Sequence, residues 1–386
     1  MTSNNPDNLS DTENFDNSET LNTSDIESSE FPIHEPRVNV TQQSRSSDTL
    51  PEQPLAQYIQ QHIPDFIHEN RFNIEQLSGG VSNLSYRLSS AEKSMILRRP
   101  PSGTKSKTAH NMAREYHLLK RLKDYYPLAP AAIHLDSLGD LLGEPFFLMQ
   151  ELHGLKVGKD LPYKTTAEQN AALCENWIDE LVNLHKIDVS QGELSQLGKP
   201  QGFVERQLSG WLERFNQAKT PDVAAVDSLA KWLEQHLNKD SGFVSLIHND
   251  YKFDNLLLNP ADHTQISGVL DWELSTIGDP LIDLGCSLAY WVEAADSDLM
   301  QMIRRMPTQL EGMYSRAQIF DRYCEKRHLT GFNLTPYYVF GLFRLAGIGQ
   351  QIYYRYYHQQ TDNPAFKNFG QQVNILIKTA EAQIVS

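Results

Sequence analysis

Side chains suited to phosphoryl transfer are concentrated in polar segments that follow two apolar runs. Asp250 and Asn255 follow the run that ends at Ile247, and Asp271 follows the next run. Because each polar segment begins where a predicted strand ends, we expect a carboxylate and an amide on one rigid loop, with a second carboxylate from the next strand. A carboxylate can orient an attacking hydroxyl, and oxygen ligands can hold Mg²⁺ on a triphosphate. The pattern therefore predicts phosphoryl transfer.

Each of these side chains has an expected role. We expect Asp250 to be the catalytic carboxylate, and Asn255 and Asp271 to be Mg²⁺ ligands, because hard oxygen donors suit that ion. The alternative is an ordinary loop aspartate and two turn-capping side chains. Lys252 could neutralise charge on the transferred phosphate or be a solvated loop lysine, and the sequence does not separate the two. Glu273 could support the metal or form a local salt bridge.

The first 50 residues differ in composition from the rest of the chain. Nine acidic residues precede Arg37, the first basic residue, and few residues there are apolar. This composition predicts a disordered acidic tail over residues 1–50, because too little surface can be buried to offset the entropy of ordering. The formal net charge is -15, and removing those nine charges leaves -6 for the remainder. Such a surface is not the basic one expected of a nucleic-acid-binding protein.

Residues 51–151 combine one helical and several strand-like runs. We predict an N-terminal nucleotide-binding lobe made of an antiparallel sheet and a helix. The expected helices cover residues 55–67 and 110–123, and the expected strands cover 72–77, 84–88, 95–97 and 145–150.

Residues 152–386 show mainly helical periodicity. We predict a helical C-terminal lobe that carries the catalytic loop and the acceptor site. The expected helices include residues 167–186, 203–219 and 337–357, and the expected short strands cover 244–247 and 266–270.

Targeting and membrane-crossing signals are absent from the sequence pattern. The first residues lack the basic and apolar regions of a secretory signal. The apolar stretch over residues 337–349 is too short to cross a bilayer and contains Arg344, so we interpret it as a buried core helix. Cys174, Cys286 and Cys324 are too far apart to suggest a zinc site or a disulfide framework. We therefore expect a cytoplasmic protein without a membrane partner.

Two further segments could contact a nucleotide. The hairpin between the first two strands could cap phosphates with backbone N–H groups, although glycine pairs also occur in hairpins without ligands. Its candidate residues are Gly79, Gly80, Ser82 and Asn83. The strand over residues 145–150 leads into a hinge whose backbone could pair with adenine. The candidate hinge residues are Gln150, Glu151 and Leu152.

The order His-x-Asp-x-x-x-x-Asn, followed by a strand and Asp271, resembles the catalytic loop and metal-binding segment of protein kinases and small-molecule kinases. Asp271-Trp272-Glu273 in place of Asp-Phe-Gly, followed by the segment Gly278 to Leu284, is similar to the aminoglycoside phosphotransferase and choline kinase-like group. No Ala-Pro-Glu segment follows, which argues against a protein kinase. Three segments look like the branch associated with acyl-CoA dehydrogenases: Leu97 to Pro101, Arg114 to Tyr116 and Phe203 to Gln207.

This resemblance implies an α+β, bilobal protein-kinase-like fold with ATP and Mg²⁺ as cofactors. Arg98 stands where kinases have a phosphate-binding lysine, and Glu115 would be its partner, unless the two form only a surface ion pair. Asp283 resembles the buried carboxylate that holds the catalytic loop, and His248 has an expected structural role.

The implied activity is phosphorylation of a hydroxyl group on a small molecule. A hydroxyacyl-CoA or hydroxy acid, an aminoalcohol, a sugar and an aminoglycoside are all candidate acceptors, with the first favoured by the branch resemblance. The alternative is a pseudokinase-like nucleotide-binding or scaffolding protein without efficient turnover. The presence of Asp250, Asn255 and Asp271 together counts against that alternative.

Overall fold

The computed structural model of the protein describes residues 49–66, 72–77, 83–101 and 107–385. The predicted acidic tail, apart from its last two residues, lies outside the described residues. So do Gly79, Gly80 and Ser82 of the predicted phosphate-capping hairpin.

The described elements form a small sheet region followed by a helical region. The helices are α1 (Glu52–His62), α2 (Lys107–Leu122), α3 (Ala167–His185), α4 (Phe203–Gln217), α5 (Asp227–His236), α6 (Pro280–Leu288), α7 (Asp298–Ile303), α8 (Arg316–Arg327), α9 (Leu334–Tyr357) and α10 (Phe369–Val385). The strands are β1 (Asn73–Leu77), β2 (Leu84–Ser89), β3 (Ser94–Arg99), β4 (Ala132–Asp136), β5 (Phe146–Gln150), β6 (Leu155–Lys156), β7 (Ser245–Ile247), β8 (Leu256–Leu258), β9 (Ile266–Val269) and β10 (Thr276–Gly278).

The first five strands form an antiparallel sheet in the order β1-β2-β3-β5-β4. Leu84, Tyr86 and Leu88 of β2 are buried at alternate positions and pack with Leu55 and Ile59 of α1. The opposite face of the sheet belongs to the larger core that includes the apolar side of α2. Both faces are therefore covered, which is why β3 is buried along almost its whole length.

The alternation of side chains along β3 determines on which face of the sheet Arg98 lies. Met95 and Leu97 belong to the α1 side of the sheet, whereas Ile96 belongs to the core on the α2 side. Since side chains two apart share a face, Arg98 projects to the same side as Ile96. The sheet therefore directs Arg98 toward α2, where Glu115 is buried among the apolar residues of that helix.

The helical region contains short strands that position loops. β7 pairs with β10, and β8 pairs with β6 and β9. The loop between β7 and β8 and the loop between β9 and β10 hold the polar segments that carry the candidate catalytic side chains. No helix among the described residues has the length and apolar character needed to cross a bilayer.

The predicted elements agree with the structure in kind and differ mainly at their ends. The expected helix over residues 55–67 is α1, which begins three residues earlier and ends at His62. The helix expected over residues 110–123 begins at Lys107. The strands β4, β6, β8 and β10 were not predicted. They are short or lack clean alternation, and β6, β8 and β10 are only two or three residues long.

Helix α6, which carries Asp283, packs closely against α9 through two glycines. A Cβ on Gly285 would overlap the carbonyl of Tyr337, and a Cβ on Gly341 would overlap the carbonyl of Gly285. Both obstacles are backbone atoms and cannot rotate away. The helix pair therefore depends on hydrogen in place of a side chain at these two positions.

We predict that Gly285→Ala lowers the free energy of unfolding by about 1–3 kcal/mol or more, because overpacking forces the two helices apart. Urea unfolding followed by circular dichroism measures this change. Gly158→Ala is the matched control, because nothing lies within 4 Å of its added Cβ. Equal stability of the two variants would contradict the close packing of α6 against α9.

Candidate active site

The loop after β7 is held by one buried carboxylate. Asp283 is fully buried, and its two oxygens accept the backbone N–H groups of His248 at 2.8 Å and Asn249 at 2.7 Å. Burial alone would raise the pKa of Asp283, but the hydrogen bonds from the ring of His185 and from the backbone N–H of His248 lower it below its ordinary value. The carboxylate is therefore ionised, and its bonds to the loop backbone are charge-assisted.

The residue before the candidate base has an unusual backbone conformation. Asn249 is left-handed, with φ of 65°, a region that asparagine adopts more readily than most residues. Its side-chain amide donates to the carbonyl of Leu274 at 2.9 Å, and its own carbonyl accepts from Nη2 of Arg344 at 2.9 Å. These bonds, with the Asp283 bond, stabilise the turn that presents Asp250.

Asp250 lies 5% exposed between two side-chain donors. Its Oδ2 accepts from Nδ2 of Asn255 at 2.7 Å and from Nζ of Lys252 at 2.5 Å. Burial alone would lower the pKa of Lys252, but Asp250 and Asp254 raise it. Lys252 is therefore an ammonium ion that can contribute positive charge but cannot act as a base.

The orientation of Asn255 follows from its partners. Its Nδ2 donates to both the carbonyl and the carboxylate of Asp250, which are acceptors, so the amide oxygen must face the other way. That oxygen, Oδ1, is buried and has no hydrogen-bond partner among the described residues. A buried oxygen without a partner is costly, and a cation would satisfy it.

Backbone contacts bring the segment of Asp271 beside the catalytic loop. The N–H of Leu270 donates to the carbonyl of Asn255 at 2.8 Å, and Nε2 of His248 donates to the carbonyl of Leu270 at 3.1 Å. Burial lowers the pKa of His248, so its ring is a neutral hydrogen-bonding group with a structural role. Asp271, the next residue, is left-handed with φ of 71° and 6% exposed.

Arg98 lies among three buried carboxylates. Its Nη2 donates to Asp271 at 2.9 Å and to Glu273 at 2.7 Å, and its Nε lies 3.2 Å from Glu115 as an ion pair without hydrogen-bond geometry. Asn83, the described end of the predicted capping hairpin, donates from Nδ2 to the same oxygen of Glu273. The pairing of Arg98 with Glu115 is therefore buried, and the surface ion pair considered from the sequence is wrong.

Opposite charges hold this buried cluster together. Burial acts to lower the pKa of Arg98, but Glu115, Asp271 and Glu273 raise it, so the guanidinium stays charged. Burial is also the largest influence on Glu115 and raises its pKa, which Arg98 and Arg114 oppose only in part. The carboxylate of Asp271 therefore lies where both a guanidinium and a metal ion could bind it.

Arg114, next to Glu115 on α2, holds the backbone of the Glu273 segment. Its Nη1 donates to the carbonyl of Glu273 at 2.9 Å, and its Nη2 donates to the carbonyl of Ser275. Burial lowers the pKa of this guanidinium. Helix α2 therefore positions both the side chain and the backbone of residue 273.

The predicted hinge follows β5 directly. The N–H of Gln150 donates to the carbonyl of Ala131, and its side chain is exposed. Glu151 is 8% exposed and accepts from Nε of Arg87 at 2.6 Å, so its carboxylate ties the hinge to β2. Leu152 contacts Gly268, where a Cβ would lie 2.9 Å from its side chain. Their expected contacts with adenine stay a prediction.

The oxygen donors fit Mg²⁺ better than a transition metal. Among the described residues, no group of three His, Cys, Asp or Glu side chains could hold a metal ion. Mg²⁺ needs only one or two protein ligands when phosphates and water supply the others. The Oδ1 of Asn255 and the carboxylate of Asp271 are suitable ligands of that kind.

The sequence did not predict three contributors to this site. Glu273 was considered a minor candidate, yet it binds both Arg98 and Asn83. From the sequence, Arg114 was considered only as part of a motif, and Arg344 only as a charge in an apolar stretch. A cation inside an otherwise buried helical pattern was the available signal for Arg344, because such a charge needs a buried partner.

Comparison with curated proteins gives relatives that are longer than this chain. The mouse acyl-CoA dehydrogenase family member 10 is 28% identical over 354 residues, which are 91% of this chain and 32% of the mouse protein. The rat acyl-CoA dehydrogenase family member 11 is 30% identical over 313 residues, which are 78% of this chain and 39% of the rat protein. The chain therefore spans between a third and two fifths of these relatives.

Two solved structures with the same fold are named as aminoglycoside phosphotransferases. A candidate aminoglycoside phosphotransferase from Ralstonia eutropha has a TM-score of 0.73 at 23% identity, and the match covers 87% of this chain and 98% of the Ralstonia chain. An aminoglycoside phosphotransferase solved with AMP-PNP and hygromycin B has a TM-score of 0.54 at 13% identity, and the match covers 84% of this chain and 98% of the other chain. The predicted bilobal, kinase-like α+β fold is confirmed.

A family model also matches the chain directly. The model described as the phosphotransferase enzyme family covers residues 73–320, which are more than half of the chain and include every residue of the site described above except Arg344. The chain belongs to the phosphotransferase enzyme family.

Proposed function

We propose that this protein is a Mg²⁺-dependent kinase that transfers the γ-phosphoryl group of ATP to a hydroxyl of a small molecule. The observation that carries the proposal is the arrangement of Asp250, Asn255 and Asp271 on two adjacent loops, with Asn255 bound to Asp250 and Asp271 bound to Arg98. The AMP-PNP bound to one structural neighbour supports a nucleotide ligand.

In this proposal Asp250 orients the acceptor hydroxyl. The acceptor oxygen forms a bond to the γ-phosphorus, the bond from that phosphorus to the bridging oxygen of ADP breaks, and the hydroxyl proton passes to Asp250. Lys252, an ammonium ion bound to Asp250, would neutralise charge that develops on the transferred phosphoryl group. Most of the catalysis comes from position and charge, as is general for this chemistry.

Asn255 and Asp271 would hold the metal ion on the phosphates. When bound, Mg²⁺ would neutralise phosphate charge and fix the phosphate geometry. Arg98 would contact phosphate oxygens from β3, and Asp271 and Glu273 hold its guanidinium in place before a nucleotide binds. A guanidinium keeps its charge and presents two parallel donors, so it can take the place of the usual lysine in a differently shaped site.

A cleft beside the catalytic loop suits an acceptor with an apolar body. It has a volume of about 820 Å³, including space open to solvent, and Lys252, Asp254 and Arg305 supply its charged groups. Most of its lining is apolar and comes from α7, α9, α10 and the segment after α6: Val292, Met300, Ile303, Leu345, Ile348, Phe369, Val373 and Leu376. Two cations and one carboxylate give no advantage to a polycationic acceptor.

Among the candidate acceptors, this lining favours a hydroxy acid or a hydroxyacyl-CoA. A hydrocarbon chain gains free energy from the apolar walls, and an anionic end is compatible with the two cations. The curated relatives are named for acyl-CoA dehydrogenases, which agrees with an acyl substrate. A sugar or an aminoglycoside would find few hydrogen-bond partners along the apolar part of this lining.

The competing proposal is a pseudokinase that binds nucleotide without efficient turnover. The observation that favours a pseudokinase is the buried charge cluster around Arg98, because the guanidinium that would bind phosphate is already paired with carboxylates. The complete set of Asp250, Asn255 and Asp271 favours the kinase. Phosphate transfer that requires both Mg²⁺ and Asp250 decides between them.

We predict that Asp250→Asn and Asp271→Ala each reduce Mg²⁺-dependent ATP turnover by at least about 10³-fold, because they remove the acceptor-orienting carboxylate and a metal ligand. The measurement is ADP release with a panel of hydroxylated metabolites. Asp262→Asn is the matched control, since Asp262 only caps its own loop through Thr264. Full activity of Asp271→Ala would refute the metal assignment, and turnover by Asp250→Asn would refute the catalytic carboxylate.

We predict that Arg98→Met lowers the free energy of unfolding by about 3–5 kcal/mol at pH 8, because three buried carboxyl groups lose their cation. Burial already raises the pKa of Glu115 to about 8, against about 4.3 when unfolded. The folded state therefore binds the proton of Glu115 more tightly than the unfolded state does. The contribution of this proton to the free energy of unfolding is fully present at low pH and is lost as pH rises through about 8.

Urea unfolding between pH 6 and pH 9 tests this charge effect. Part of the lost stability of Arg98→Met should return at pH 6, because the carboxyl groups take up protons. The control is Arg121→Met on α2, the helix that carries Glu115; the partner of Arg121, Glu193, is 73% exposed, and the loss of this pair should cost less than about 1 kcal/mol. A pH-independent loss in Arg98→Met would contradict the uncompensated negative charge expected in that variant.

We predict that kcat/KM for straight-chain hydroxy acids and their CoA thioesters rises about fourfold for each CH₂ between four and eight carbons, since each buried CH₂ contributes about 0.8 kcal/mol. Coupled ADP assays with choline, glucose and kanamycin provide the comparison. A flat chain-length profile, or a preference for kanamycin, would contradict an acyl acceptor while leaving the kinase assignment intact.

A further inference from the structure

A buried chain of hydrogen bonds lies beneath the catalytic loop. Asp283 on α6, His185 at the end of α3 and Tyr323 on α8 are 0%, 2% and 0% exposed. Nε2 of His185 is 3.1 Å from Oδ2 of Asp283, and Nδ1 is 2.6 Å from the hydroxyl of Tyr323. The same Oδ2 accepts the backbone N–H of His248. This series of hydrogen bonds therefore ends on the loop that presents Asp250.

The chemistry of the three groups fixes the direction of both bonds. Asp283 is ionised and can only accept, so Nε2 of His185 must be the donor. Burial lowers the pKa of His185, although Asp283 opposes the shift, so the ring is neutral and carries one proton. Nδ1 must then accept. The Tyr323 hydroxyl, whose pKa is raised by burial, is the donor.

The backbone of His185 is held independently of Tyr323. Its carbonyl accepts from Oγ of Ser245 at 2.8 Å and from Nη1 of Arg327 at 2.8 Å. The rings of His185 and Tyr323 meet edge to face, with centroids 5.7 Å apart. The backbone at His185 is thus held by several contacts and its protonated nitrogen is set by Asp283, whereas the Tyr323 hydroxyl is the hydrogen-bond partner of Nδ1.

We propose that Tyr323 is a positioning residue for the catalytic loop: its hydroxyl donates to Nδ1 of His185 and holds the ring so that Nε2–H stays aligned with Asp283, which accepts the His248 amide. The ionised Asp283 keeps the proton of His185 on Nε2. Without the hydroxyl, Nδ1 would be a buried acceptor without a partner, and the ring could turn away from the carboxylate, which would weaken the hold of Asp283 on the loop.

Tyr323 acts at a distance from the chemistry. Three hydrogen bonds separate its hydroxyl from the backbone next to Asp250, so it touches neither nucleotide nor acceptor. Turnover should fall because the base is less well placed, whereas ATP binding, which depends on other elements, should change little.

The first test uses the wild-type protein labelled with ¹⁵N-histidine. The nitrogen chemical shifts of His185, assigned by comparison with His185→Gln, should be those of a neutral Nε2–H ring. An Nδ1–H tautomer or an imidazolium ion at pH 7 would overturn the proposal. This measurement needs neither a substrate nor a folded Tyr323 variant.

The second test compares Tyr323→Phe, which keeps the ring, with Tyr126→Phe. Tyr126 is equally buried, but its hydroxyl donates to the carbonyl of Glu180, outside the chain of bonds. Amide hydrogen exchange at His248 and Asn249 should be about tenfold or more faster in Tyr323→Phe than in the control, because opening of the loop becomes easier. Equal exchange in the two variants would overturn the proposal.

The turnover readout rests on the proposed kinase function. With an acceptor found in the ADP assay, Tyr323→Phe should lower kcat about tenfold while KM for ATP changes less than about twofold. Loss of ATP affinity with unchanged kcat would overturn the positioning role. If the wild-type protein consumes no ATP with any acceptor, the kinase proposal fails, and the tautomer and exchange measurements still decide the role of Tyr323.

Discussion

The ionised carboxylate of Asp283 is the interaction on which the site depends. A buried charge is stable only with strong partners, and this one has two backbone amides and an imidazole. Those bonds force Asn249 into a left-handed turn, and the turn sends Asp250 toward Asn255. The candidate base is therefore positioned from below, by a residue that follows it by more than thirty positions in the chain.

The two halves of the site use charge in different ways. Beneath the loop, one carboxylate is satisfied by neutral donors. Around Arg98, three carboxyl groups contact one guanidinium. The first arrangement gives rigidity, and the second brings Arg98 and the proposed metal ligand Asp271 together. A phosphoryl-transfer site needs both, since it must hold an acceptor still and bind a metal with a triphosphate.

Local spacing explains which features the sequence could predict. Asp250 and Asn255 are five residues apart on one loop, so their convergence followed from the pattern. Arg98 and Glu273 are 175 residues apart, and nothing in either segment indicates that a guanidinium would bind Glu273 as well as Asp271. The strand β4 was missed because residues 132–136 show weak alternation, with mostly half-buried side chains. Long helices with regular apolar spacing were predicted to within a few residues.

Under the proposed function, the glycine contact between α6 and α9 constrains how the selectivity of the acceptor cleft can diverge. Helix α6 carries the carboxylate beneath the loop, and α9 supplies a wall of the apolar cleft. Since the two helices touch backbone to backbone, the wall cannot slide without disturbing the loop anchor. Related proteins that accept other molecules would have to reshape the cleft by exchanging individual side chains on α7, α9 and α10, with the helix framework left where it is.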